Sequence, residues 1–297
     1  MILAAIDIGS NAARLLITEI TEKPGEKPAF FKLNLFRIPL RLGFDVFETK
    51  YISPEKITMF LNSMLGFKHL MNAYNVEAVK ACATSAMRDA VNSADVIEQV
   101  LNATGIKIEI ITGDMEANLV YENHVAENMD LDHSYMYVDV GGGSTELSFF
   151  TNGILTFKNS FNIGTIRLLK NMVEESHWMD MKNSIKTACK GQKAVVAIGS
   201  GGNINKVFSM SKRKDGKPLS LELLRDYHKE LEGFSLEERI TRYNLRRDRA
   251  DVIVPALSIY INAMRWADAN EIYVPKIGLA DGLVRHLYDE MRQPAIQ

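Results

Sequence analysis

Tyr135-Met136-Tyr137-Val138-Asp139-Val140-Gly141-Gly142-Gly143-Ser144-Thr145-Glu146-Leu147-Ser148-Phe149-Phe150 is the stretch on which the fold turns. An apolar run ends in an aspartate, crosses three glycines and two hydroxyls, and resumes at a glutamate. Glycine inside a strand costs backbone entropy and packs nothing, so three in a row belong in a tight hairpin. Successive N–H groups of such a turn can form a concavity that binds an anion such as phosphate. Asp139 and Glu146 at its rim are oxygen donors of the kind that hold a divalent cation, directly or through water. The plainer alternative is a glycine-rich hairpin with no ligand, since turns favour glycine on their own account.

A turn of the same kind stands near the start of the chain. Ile2 to Ile6 is apolar, Asp7 follows, Gly9-Ser10-Asn11 is polar, and Arg14-Leu15-Leu16-Ile17 returns as a strand. A third strand is expected over residues 29–41, a helix over 53–74 with Ser53 as N-cap and Pro54 in its first turn, and strands over 76–83 and 107–111. Helices are expected over 93–103 and 114–126. The pattern then restarts, with strands over 135–139, 146–150 and 155–162, helices over 165–174 and 181–190, and a strand over 194–198 that runs into Gly199-Ser200-Gly201-Gly202-Asn203. Helices over 221–232, 250–267 and 279–291 and a strand over 271–274 complete it. The reading is α/β in two domains, residues 1–126 and 127–297, with a hinge near 126–134. The last helix, about 279–297, is a candidate to pack back on the first domain.

Composition bounds the function. A length of 297 residues suits two domains of about 100–200 residues each. A net charge of -2 lacks the basic footprint of a nucleic-acid or anionic-membrane binder, so neither partner is expected. No apolar stretch reaches bilayer length, and Asp7 interrupts the one near the N-terminus, which argues against a signal peptide. Cys82 and Cys189 are far apart and form no metal or redox pair, so a cytoplasmic protein without disulfides is expected.

Two aspartate-and-glycine turns suit the walls of a cleft at the carboxyl ends of strands, where α/β folds bind ligands. Further motifs accompany them: Ala83-Thr84-Ser85-Ala86-Met87-Arg88-Asp89-Ala90, Ile111-Thr112-Gly113-Asp114-Met115-Glu116-Ala117, Asn162-Ile163-Gly164-Thr165-Ile166-Arg167-Leu168, Arg249-Ala250-Asp251-Val252-Ile253-Val254-Pro255 and Gly278-Leu279-Ala280-Asp281-Gly282-Leu283. In this order the chain resembles the exopolyphosphatase and guanosine pentaphosphate phosphohydrolase (Ppx/GppA) family of the sugar kinase and actin superfamily. The resemblance implies two ribonuclease-H-like (actin-like ATPase) domains around an interdomain cleft, and a homodimer. It also implies release of terminal phosphate from inorganic polyphosphate with the help of Mg2+.

The resemblance implies that Glu116 is the catalytic base, although by itself it reads more readily as a solvated helix-start glutamate favoured by the dipole. Asp139 and Glu146 are the expected metal ligands, with Asp7 assisting through water. Phosphate contacts are expected from Gly9, Ser10, Asn11, Arg14, Ser85, Arg88, Gly141, Gly142, Gly143, Ser144, Thr145, Gly201, Gly202 and Arg249. Arg88 could instead form an ion pair with Asp89 or Glu116, and Arg14 could leave along its strand. The chain departs from the family pattern at Met115, usually acidic, at Asn203, usually threonine, and at Ala280, usually arginine. Guanosine pentaphosphate is the alternative substrate. A sugar- or acid-type phosphotransferase, or a binder of polyphosphate or alarmone without turnover, is the alternative of another class.

Overall fold

The computed structural model describes residues 1–121, 132–192 and 194–292. The chain forms two compact units, Met1–Asn123 with Leu279–Gln297, and His124–Gly278. The boundary expected at 126/127, residues 126–131 of the expected hinge, and the end of the last helix beyond residue 292 lie outside the described residues.

The first unit opens with β1 (Ile2–Ile8), β2 (Ala13–Thr21) and β3 (Ala29–Ile38), followed by α1 (Leu42–Thr49) and α2 (Pro54–Ala73). Then come β4 (Ala78–Ala83), α3 (Ser85–Asp89), α4 (Ser93–Thr104), β5 (Ile108–Ile110) and α5 (Gly113–Tyr121). The sheet order is β3-β2-β1-β4-β5. β1 runs antiparallel to β2 and parallel to β4, which is parallel to β5. The three parallel strands therefore end at one edge, and the segments after them gather there. β1 is buried from Leu3 to Ile8, which its nearly unbroken apolar run allows. Ser53 Oγ caps α2 by accepting from Lys56 N–H, and Pro54 opens the helix.

The second unit repeats the plan. β6 (Ser134–Val140), β7 (Thr145–Thr151) and β8 (Ile154–Phe161) lead to α6 (Thr165–Leu169), α7 (Glu175–Cys189) and β9 (Val195–Ser200). α8 (Gly202–Met210), β10 (Leu219–Ser220), α9 (Leu221–Glu232), α10 (Leu236–Tyr243), α11 (Arg247–Ala250), α12 (Ile253–Trp266) and β11 (Glu271–Tyr273) follow. The order is β10-β11-β9-β6-β7-β8, with β6, β9 and β11 parallel. Both sheets thus share the strand plan of ribonuclease-H-like domains, and the fold is α/β with two sheets. α13 (Leu279–Arg292) closes the chain within the first unit. It buries Leu279, Ala280, Leu283, Val284 and Tyr288 beside Leu3, Ala5, Leu16 and Ile20.

Local differences from expectation have local causes. The helix expected over 165–174 stops at Leu169, because Asn171 adopts a left-handed φ of 54°. A new helix then starts at Glu175, six residues before the expected 181. α10 was not expected, although Leu236, Ile240 and Tyr243 lie on one of its faces and pack half-buried against the core. Its capping box, Ser235 with Glu238, was nevertheless there to be read. No helix among the described residues is long and apolar enough to cross a membrane.

Candidate functional site

In the first unit the three parallel strand ends are laced together. Thr84 N–H donates to the Ile8 carbonyl at 3.1 Å, and Ile111 N–H to that of Ala83 at 3.0 Å. Ser10 and Ser85, both expected on phosphate, hold each other through their hydroxyls at 2.7 Å in a buried contact. The turn between them is braced from outside: Gly43 N–H donates to the Ser10 carbonyl at 2.8 Å and Arg41 N–H to that of Asn11 at 3.0 Å. Gly9 N–H closes the turn on the Ala12 carbonyl at 3.0 Å.

Glu116 lies in the first turn of α5 and is 9% exposed. Thr112 Oγ1 accepts from Met115 N–H at 3.2 Å and so starts the helix in front of it. Arg88 Nη1 donates to the Ile111 carbonyl at 2.7 Å and stands 3.5 Å from Glu116 Oε2. Of the alternatives for Arg88, the contact with Glu116 is present. It leaves Nε and Nη2 without a hydrogen-bond partner among the described residues, donors that an anion could use. Asp7 and Arg14, expected on metal and on phosphate, are bonded to each other at 2.5 Å.

In the second unit the glycine hairpin is fixed by its carbonyls. Thr165 N–H donates to the Gly141 carbonyl at 3.0 Å, Ile166 N–H to that of Gly142 at 2.8 Å, and Arg167 Nε to that of Gly143 at 2.7 Å. The start of α6 thus takes up the carbonyls on one side of the turn. The amides of Gly142 and Gly143 have no acceptor among the described residues. That is the polarity of an anion nest. Gly164 makes the contact possible: a Cβ there would lie 2.4 Å from the Gly142 carbonyl oxygen. Thr145, expected on phosphate, instead spends its hydroxyl on the Ile163 carbonyl at 2.5 Å and is fully buried. Ser144 is buried at the tip of the turn beside it.

The second glycine turn follows β9. Gly201 has φ 109°, open to glycine and strained for other residues, and a Cβ there would lie 3.2 Å from Asp139 Oδ1. Arg249 packs on Gly202, its Nη1 2.5 Å from where a Cβ would stand, and donates to Asn203 Oδ1 at 3.0 Å. Gly201, Gly202 and Arg249 are therefore brought together, and the amide at Asn203 does what a threonine hydroxyl would do less well, accepting from a guanidinium. Tyr260, unnoticed in the sequence because α12 reads as plain core, sends its buried hydroxyl to the Ser200 carbonyl. Burial first, then the charge of Asp139, pushes that phenol well above its ordinary pKa, so it stays a neutral donor.

The two units place opposite electrostatics at equivalent positions. On β1, Asp7 faces Arg14 across the antiparallel pair and Cys82 across the parallel one. On β6, Asp139 faces Glu146 and Ser200 in the same two directions. The first aspartate meets a cation and a thiol; the second meets a carboxylate and a hydroxyl. Two like charges opposed on one face, with hard oxygen beside them, form a donor set that suits Mg2+, which takes one or two carboxylates and keeps several waters. Ser200 Oγ is buried and has no hydrogen-bond partner among the described residues. Glu146 is oriented by Ser160, whose Oγ donates to Oε1 at 2.8 Å. No group of three or more acidic, histidine or cysteine side chains forms a metal cage among the described residues. Ala280, noted above as a departure from the resembled pattern, is 5% exposed on the apolar face of α13.

Comparison with known proteins places the chain in a family. The profile of the Ppx/GppA phosphatase family matches residues 36–291. The bifunctional 3-dehydroquinate synthase/phosphatase of Fusobacterium nucleatum is 34% identical over 56% of this chain and 25% of its own length. Exopolyphosphatase 2 of Mycobacterium tuberculosis is 34% identical over 56% of this chain and 53% of its own. These matches therefore take in a quarter and about half of the two relatives. The guanosine-5'-triphosphate,3'-diphosphate pyrophosphatase of Vibrio campbellii is 25% identical over 99% of this chain and 61% of its own. Among solved structures, the Ppx/GppA family member of Aquifex aeolicus superposes with a TM-score of 0.76 at 26% identity, covering 98% of each chain. An exopolyphosphatase from Cytophaga hutchinsonii shares the fold with a TM-score of 0.81 at 23% identity. With a profile match across most of its length and the same fold end to end, the chain belongs to the Ppx/GppA phosphatase family.

Proposed function

We propose that this protein is a phosphoanhydride hydrolase that removes terminal orthophosphate from inorganic polyphosphate. The observation that carries the reading is Glu116, a nearly buried carboxylate at a helix start, fixed by Arg88 at the edge where three parallel strands end. In the reaction Glu116 takes a proton from a water whose oxygen attacks the terminal phosphorus. The P–O bond to the bridging oxygen breaks, and that oxygen leaves with the shortened chain. Arg88 Nε and Nη2 and the Gly142 and Gly143 amides supply donors to phosphate oxygens. Ser10 and Ser85 share one hydrogen bond, so one hydroxyl proton of the pair remains for a phosphate. Asp139 and Glu146, with Ser200 Oγ beside them, would hold Mg2+, which neutralises charge on the phosphate oxygens when bound. Asp7 then has the task of holding Arg14.

The name of the Vibrio campbellii relative, aligned over 99% of this chain, supports a second reading in which guanosine pentaphosphate is the substrate. Cytoplasmic residence and a homodimer go with either reading, and sedimentation velocity measures the second. Orthophosphate release from tripolyphosphate and from guanosine pentaphosphate, measured side by side in Mg2+, separates the two. Faster turnover of tripolyphosphate is expected; turnover of the nucleotide alone would overturn the first reading in favour of the second.

A further inference from the structure

A groove of about 420 Å3 lies in the second unit, lined by Arg225 and His228 of α9 and by Ser258, Ile261, Asn262 and Arg265 of α12. None of these residues belongs to the hairpin or the glycine turns. Their spacings, i and i+3 on one helix and i, i+3, i+4, i+7 on the other, are single faces of the two helices. No carboxylate lines the groove. Neither arginine has an ion-pair or hydrogen-bond partner for its guanidinium among the described residues. His228 Nδ1 has Glu232 at 3.8 Å along its own helix. Both arginines are exposed and share a groove with no carboxylate in its lining, which leaves their charge open to an anion.

We infer that this groove binds a phosphate dianion, either free or as the terminal group of a phosphomonoester. Guanidinium forks match phosphate oxygens, and the hydroxyl of Ser258 and the amide of Asn262 add uncharged donors on the facing helix. The volume exceeds what one phosphate needs and falls in the range of small-molecule sites, with Ile261 offering an apolar wall to an ester's organic part.

The test follows the arginine Nε–Hε resonances of 15N-labelled full-length protein, assigned by their loss in Arg225→Gln and Arg265→Gln. Inorganic phosphate and, separately, adenosine 5'-monophosphate are titrated at constant ionic strength against sodium chloride. The Arg225 and Arg265 signals are expected to move together and saturate, and the remaining signal in either variant to need at least tenfold more phosphate. Equal affinity for the two probes assigns free phosphate as the ligand; tenfold tighter binding of the monophosphate assigns an ester. Shifts no larger than those chloride produces, or an Arg265 response unchanged in Arg225→Gln, would overturn the proposal. Both positions are exposed and glutamine is a good helix former, so each variant checks the other's folding by circular dichroism. The readout needs no hydrolytic activity and so stands or falls apart from the proposed reaction.

Discussion

At the scale of single residues, a carboxylate works as a base where it is held in place and kept from bulk water. Glu116 has the first from Arg88 and the second from its burial. Glu116→Gln keeps the shape and removes the basicity, so kcat is expected to fall by about 10²–10⁴ with an unchanged melting temperature. Arg88→Lys keeps a charge and loses the fork, and KM is expected to rise with it, since the Ile111 carbonyl and a phosphate can no longer be served together. Cys82 gives a pH prediction independent of function. Burial, then Glu109, pushes its thiol from 9.0 to about 12. Between those values the unfolded chain has lost a proton that the folded chain keeps, so stability falls as pH rises. Urea unfolding at pH 9 to 11 is expected to show that fall, and Cys82→Ala to lessen it; an equal slope in the variant would contradict the assignment. What the sequence conveyed at this scale was residue type in a turn: Asp7, Ser10, Ser85 and Arg88 could be picked out. Their mutual bonds could not, because pairing of Asp7 with Arg14 or Ser10 with Ser85 depends on register and on a contact 75 residues away.

At the scale of elements, the three-glycine hairpin is shaped less by its own glycines than by Gly164. The start of α6 uses up the hairpin carbonyls and leaves the Gly142 and Gly143 amides without an acceptor among the described residues. Gly164→Ala would place a methyl 2.4 Å from the Gly142 carbonyl oxygen, against backbone that cannot yield as a side chain would. A cost of about 1–3 kcal/mol in stability is expected from such overpacking, together with loss of phosphate release, while far-ultraviolet circular dichroism stays the same. Activity retained in Gly164→Ala would show that the hairpin tolerates displacement and is not the anion nest. The hairpin itself stood out in the sequence because glycine clusters and alternating apolar runs are local signals. Gly164 stood in a quoted motif, but its contact with the hairpin was not legible, and Ser160 and Tyr260 were not picked out, since each matters only through a separate strand or helix.

At the scale of the molecule, the repeat of strand, polar turn and returning strand was legible, because each sheet begins with consecutive strands of strong apolar pattern. That α13 caps the first unit instead of extending the second follows from the apolar surface it covers. Removing α13 uncovers Leu3, Leu16 and Ile20, at about 1.5–3 kcal/mol for each large apolar side chain left exposed, a large share of the 5–15 kcal/mol typical of a domain. A chain ended at Gly278 is expected to be cut rapidly by protease within residues 1–121 while 132–278 resists; equal resistance of both would contradict it. The units differ electrostatically, with Asp7 opposite Arg14 in the first and Asp139 opposite Glu146 in the second, and under the proposed reaction a cation is expected on the second. The most direct test is orthophosphate release from tripolyphosphate in Mg2+ by the wild-type chain and by Glu116→Gln. Release by the first and a loss of at least a hundredfold in the second are expected; no release by wild type, or equal release by both, would contradict the proposed reaction.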